Sequence, residues 1–223
     1  MPEPNSTSLQ THLQAVKKGE RVFENAFQSV SRMILEKEIN KVTVNGKTTF
    51  DFTIFREGKK HIIGMYDEIN SFVSFVKDAS QGGSSKEMAF VLVGEPGNGK
   101  TFLVEYLCTL YRNFLARPKN RKYSFRFTGL DQIGSYGAIK MIESQTYEDP
   151  MVLALNLFDT KEESMQYLAK KHKVSDSMLE QWMENYRPLG ACSAYIWNDL
   201  RNLAGANIVE MHMKIENVRL TLG

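Results

Sequence analysis

Charge of one sign is what this sequence has least of: 28 lysines and arginines stand against 26 aspartates and glutamates, a formal net charge of +2. A strongly basic nucleic-acid surface is therefore not indicated. The one short positive run, Lys170-Lys171-His172-Lys173, reads as a solvated helix end. Cysteine is also scarce. Cys108 and Cys192 are the only two, too few for a disulfide framework or a metal-ligand cluster, and they suit a reducing compartment. No apolar run approaches the length that crosses a bilayer. Residues 1–8 lack the charged and apolar regions of a signal peptide. The expectation is a cytoplasmic protein with no membrane and no nucleic-acid partner. Protein-kinase signatures are missing too, with neither a His-Arg-Asp loop nor an Asp-Phe-Gly triplet.

What is present centres on Gly94-Glu95-Pro96-Gly97-Asn98-Gly99-Lys100-Thr101, which fits the phosphate-loop pattern G-x-x-x-x-G-K-[ST] at each fixed position. Glycines let successive backbone N–H groups converge on one hollow, and the positive end of the following helix adds to it. Lys100 is the catalytic candidate, a mobile point charge for the β- and γ-phosphates, and Thr101 offers a hydroxyl to Mg²⁺. ATP and Mg²⁺ are the expected cofactors, with residues 94–101 and Phe102 as the binding segment. Met88-Ala89-Phe90-Val91-Leu92-Val93, just before the loop, reads as a buried parallel strand. Leu103, Val104, Leu107, Leu110, Tyr111, Phe114 and Leu115 then recur at helical spacing, up to Arg117-Pro118.

Upstream, a helical pattern runs from about Leu9 to Glu38, with Val22, Phe23, Ala26, Phe27, Val30, Met33 and Ile34 as one stripe. It serves either the core or an oligomer contact. Asn45-Gly46 predicts a type I′ hairpin between residues 42–44 and 47–50. Asp51 to Lys60 reads as irregular. Ile63 and Gly64 are candidates for an adenine contact, because glycine permits close approach and isoleucine gives an apolar face; a plain turn before a helix fits equally well. A helix follows, carrying Met65, Tyr66, Ile69, Phe72, Val73 and Val76 on one side.

Downstream, residues 123–128 read as a strand, and strands alternating with helices imply a parallel sheet covered on both faces. A phosphate-loop ATPase also needs an acid at a strand end. The candidate strand is Met151-Val152-Leu153-Ala154-Leu155-Asn156-Leu157-Phe158-Asp159. Against it, Glu148-Asp149-Pro150 looks like a turn, Asn156 interrupts the run, and Thr160-Lys161-Glu162-Glu163 matches a capping box. Either Asp159 serves, or the acid lies past Gly223 in a longer protein; the second reading is preferred. Helices follow from Thr160, with Ser175 and Ser193 as caps and Gly205 as a stop, and alternation from Val209 to Glu216 marks a last strand.

These residues resemble a family, the N-terminal AAA+ domain of the PrkA serine protein kinases of bacteria and archaea. The likeness is carried by Ile63-Gly64-Met65 with Ile69, by Ser80-Gln81-Gly82, and by Glu143-Ser144 through Glu148-Asp149-Pro150-Met151, and covers about residues 50–222. Cys192-Ser193-Ala194-Tyr195 departs from the family's Cys-Pro-x-Cys, and Glu95 and Asn98 from the proline and threonine of many AAA+ loops. The resemblance implies a P-loop AAA+-like α/β fold, with a helix and hairpin extension over residues 1–50, a helical insertion, and a C-terminally truncated domain over 51–223. It further implies a ring-forming homo-oligomer and a protein substrate of unstated identity, phosphorylated on serine by the full-length form. The alternatives are a self-contained AAA+ ATPase or remodeller, and a nucleotide-responsive oligomerisation module.

Overall fold

A computed structural model describes residues 7–205 and 214–217. Helices and strands are mixed, and the residues from Glu24 to Ala116 form one compact unit while those before and after form another.

In the unit 24–116, helix α2 (Ala26–Leu35) starts at a capping box in which Asn25 and Gln28 satisfy each other's backbone N–H groups. The expected single helix from Leu9 to Glu38 is two helices, since α1 (Leu9–Lys17) ends where Gly19 turns left-handed at φ 72°. The stripe on α2 serves the core: Met33 and Ile34 are buried. The hairpin forms as the Asn-Gly signal predicts. Strands β1 (Ile39–Val44) and β2 (Lys47–Phe52) pair antiparallel around Asn45 and Gly46, at φ 51° and 75°. Residues 51–60 are more ordered than expected. Phe52 closes β2, Thr53–Arg56 make a 3-10 turn, and Ile54 and Phe55 enter the core beside Ile62, Ile69 and Val73. Helices α3 (Tyr66–Ser80) and α4 (Lys100–Leu115) complete the unit, with Leu103 and Phe114 buried on α4.

Residues 88–93 do not form the buried strand that their apolar run suggests. They are extended but belong to no ladder among the described residues. Phe90 packs edge-on to Phe72, and Leu92 joins the core, while Val91 and Val93 are 70% and 89% exposed. A continuous apolar run means burial on both faces only where strands pair on either side. The expected parallel sheet is likewise not found among the described residues, where every strand pair is antiparallel.

In the other unit, β3 (Tyr123–Thr128) forms where alternation predicts it and is the centre of a three-stranded antiparallel sheet, flanked by β4 (Met141–Glu143) and β5 (Lys214–Asn217). Residues 206–213 and 218–223, and with them most of the last expected strand, lie outside the described residues. The run from Met151 is helix, not strand. Asp149 caps α5 (Pro150–Leu155) through the Met151 N–H, Pro150 sits at the first helical position, and all six residues are buried. A run buried on every side carries no period, so length and flanking proline had to arbitrate.

Asn156 ends α5 and ties it down. Its amide donates to the carbonyls of Val152 and Arg187 at 2.8 and 3.0 Å and accepts from the Tyr186 hydroxyl at 3.2 Å. Helices α6 (Lys161–His172), α7 (Asp176–Met183) and α8 (Ala191–Ala204) follow. Thr160 caps α6 as expected, but Ser175 caps α7 without a side-chain bond. Helix α8 has Gly190 as its N-cap, three residues before the expected cap; Ser193 instead donates to the buried Glu148 carboxylate at 2.5 Å. His172, expected to be solvated, is buried against Tyr167.

Candidate nucleotide site

The loop of residues 94–101 closes on itself. Lys100 Nζ donates to the carbonyl oxygens of Gly94 and Glu95 at 2.7 and 2.6 Å, so the ammonium spans the mouth of the turn. Gly97 and Gly99 stand at φ 89° and 73°, where a Cβ would be strained. Gly99 is also the N-cap of α4, and it brings no side chain to the helix end. The first intrahelical donor is the Leu103 N–H, bonded to the Gly99 carbonyl at 2.9 Å. The amides of Lys100, Thr101 and Phe102 therefore keep their donor capacity at the positive end of a 16-residue helix. Thr101 is exposed on that first turn, and Glu95, Pro96 and Asn98 are exposed around it.

Phe102 is half-buried and packs on Tyr106 with ring centroids 5.9 Å apart. Tyr106 anchors α4: its single hydroxyl proton is shared between the carbonyls of Glu57 and Ile54, at 2.7 and 3.0 Å. Burial, then the neighbouring Glu57 charge, raises its pKa. The hydroxyl is thus a fixed donor, not an acid.

Ile63 and Gly64 lead into a residue that reaches the loop. Met65 follows them in left-handed backbone, φ 54°, and its Sδ lies 3.8 Å from where a Cβ on Gly99 would stand. Ile62 is buried and Ile63 is 83% exposed. The turn is held by Arg56, whose guanidinium donates to the carbonyls of Ile62 and Gly64. Neither Arg56 nor Tyr106 is visible in the sequence as a site residue, because the bonds that place them here go to backbone carbonyls, which leave no pattern.

Asp159 does not stand at a strand end. It follows α5, its side chain is 89% exposed, and it pairs with Arg201 at 2.8 Å. No cluster of three or more His, Cys, Asp or Glu side chains suited to a metal occurs among the described residues. Cys108 and Cys192 are half-buried free thiols. No helix among the described residues is long and apolar enough to cross a membrane.

The stretch that holds the loop, α4 and the Ile63–Gly64 turn also matches a family model, the PrkA AAA domain, over residues 7–117. This part of the chain belongs to the PrkA AAA domain family. The match begins at the first helix and ends just past α4, so the PrkA AAA segment contains each residue named above for phosphate or base. No curated protein and no solved structure matches the chain.

Proposed function

We propose that this chain binds ATP with Mg²⁺ through the loop of residues 94–101, as the nucleotide-binding part of a PrkA-like serine protein kinase. One observation carries the reading. An uncapped helix end, two left-handed glycines and a lysine folded over the loop coincide in a chain segment of the PrkA AAA family. Backbone amides from Gly97 to Phe102 and the Lys100 ammonium would hold the phosphates. Thr101 would hold the metal through its hydroxyl, and Ile63 and Gly64 would face the adenine. Mg²⁺, when bound, neutralises charge on the phosphate oxygens. The donor set fits both groups: amides and an ammonium for an anion, a hard hydroxyl oxygen for a hard cation.

Residues 88–93 fit the strand that leads into a P-loop in a parallel AAA+-like sheet. Their inner face, Phe90 and Leu92, is already packed, and their backbone is extended. Turnover is assigned to residues other than Asp159, which sits at a helix boundary and pairs with Arg201. The ring-shaped homo-oligomer and the serine-bearing protein substrate belong to the same proposal.

Calorimetry with Mg-ATP tests binding, with Lys100→Ala as the control. Saturable binding that Lys100→Ala weakens by about tenfold or more supports the loop as the site. Equal binding by both proteins overturns it. A phosphate-release assay on the same sample should stay near background.

A further inference from the structure

Arg56 lies in a segment that the nucleotide-binding reading does not use. Its Nε donates to Asp51 Oδ1 at 2.8 Å. One terminal nitrogen, Nη1, donates to the Ile62 carbonyl and reaches the Gly64 carbonyl at 3.3 Å; the other, Nη2, donates to Gly64 at 3.2 Å. The guanidinium lies 4.7 Å from the Tyr66 ring centroid. Both members of the Asp51–Arg56 pair are largely shielded, at 18% and 21% side-chain exposure.

This arrangement fixes a turn that does not hold itself. Gly64 and Met65 are consecutive left-handed residues, and Met65 is not a residue type that favours that region. The fork of Arg56 satisfies the carbonyls the turn exposes, in a geometry that only a planar guanidinium provides. Held in this way, the turn buries Ile62, leaves Ile63 outward, and sets Met65 against Gly99 of the loop. A lone exposed isoleucine is ordinary. One presented on a braced turn, two residues before the Met65 that reaches the phosphate loop, offers an apolar surface to the flat face of a base.

We infer that Arg56, oriented by Asp51, is the positioning residue for the nucleobase half of the site, setting the Ile63 face without touching phosphate. The inference rests on the nucleotide-binding reading above.

The test separates base from phosphate. The full chain and its variants are titrated with Mg-ATP and with Mg-tripolyphosphate, which carries the phosphates and no base. Wild type should prefer ATP. Arg56→Gln and Arg56→Lys should each weaken ATP by about tenfold while tripolyphosphate affinity holds. Asp51→Asn should move the same way by less. Ile63→Ser, which keeps the brace, should erase the preference for ATP. The inference fails if the Arg56 variants lose both ligands together, if neither ligand changes, or if Ile63→Ser keeps the full preference. Tripolyphosphate binding by wild type leaves the phosphate-loop reading standing when the Arg56 inference fails; a wild type that binds neither ligand overturns both.

Discussion

His12 Nε2 lies 3.9 Å from Asp149 Oδ1, yet the two do not form an ion pair at neutral pH. Burial, and then the positive Arg21, pushes His12 down to about 3. Arg21 Nη1 donates to His12 Nδ1 at 2.7 Å, so that nitrogen is an acceptor and the ring is neutral. Burial pushes Asp149 up to about 6, against the lowering effects of the Met151 N–H, Lys122 and Arg187.

The two shifts have opposite linkage signs. His12 binds its proton more readily when unfolded, so between pH 6.5 and about 3 its term loses stability as pH falls. Asp149 binds its proton more readily when folded, so between about pH 6 and 3.8 its term gains stability as pH falls. In the shared window the terms offset. Asp149→Asn keeps a cap acceptor for Met151 and removes the compensating term. Its stability should then fall more steeply than that of wild type as pH drops from 6 to 4. Urea unfolding across that range measures it, and parallel curves would contradict it.

Asn156→Ala should destabilise by about 1–3 kcal/mol. It leaves the Arg187 carbonyl and the Tyr186 hydroxyl without their partner, while the Trp197 Nε1 bond to the Asn156 carbonyl, at 2.8 Å, survives. Chemical denaturation with an unchanged m-value is the check. A loss below about 0.5 kcal/mol would mean that water replaces the amide at no cost.

Gly83→Ala should disturb the end of α3. A Cβ there would stand 2.1 Å from Asp78 Oδ1, although the backbone angle of Gly83 itself is ordinary. The Asp78 carboxylate accepts from the Ser85 N–H at 3.0 Å, and the Ser85 side chain and N–H hold its pKa below the usual carboxylate range. Displaced by the methyl, it should titrate closer to an ordinary aspartate. NMR titration of the Asp78 carboxyl reads this directly, and an unchanged value would show that the side chain simply swings aside.

Thr101→Ala, on the nucleotide-binding proposal, should remove the part of ATP affinity that depends on Mg²⁺ and leave metal-free binding nearly intact. Thr101→Ser should keep both. Titrations with and without the metal, read side by side, decide it. Equal losses in the two series would place Thr101 on phosphate and not on metal.

Local chemistry made much of this fold legible. Asn45-Gly46 dictated its hairpin because few residue pairs accept two positive φ angles. The α4 helix and β3 followed from apolar periods of one kind each. Residues 88–93 were misread because they are apolar without period, and whether such a run becomes strand or helix depends on neighbours distant in sequence. The run 151–155 has no period either, but the Asp149-Pro150 turn and the Thr160 cap spoke against a strand there, and it is helix. Of the site, the loop was readable because each residue type there does a stated job. Arg56 was not, since its role is to hold backbone oxygens and any segment supplies those. His172 was misjudged because a charged run conceals which side of the helix meets the core.

The exposed valines at positions 91 and 93 bear on how this protein behaves in a tube. Residues 88–93 contain no charge and no proline, and among the described residues they make no ladder bonds on either edge. Such a hexapeptide is a template for cross-β stacking, with no gatekeeper residue inside it to stop growth. Concentrated stocks of the chain should therefore cloud through this segment first, and a single lysine at Val91 should keep them clear.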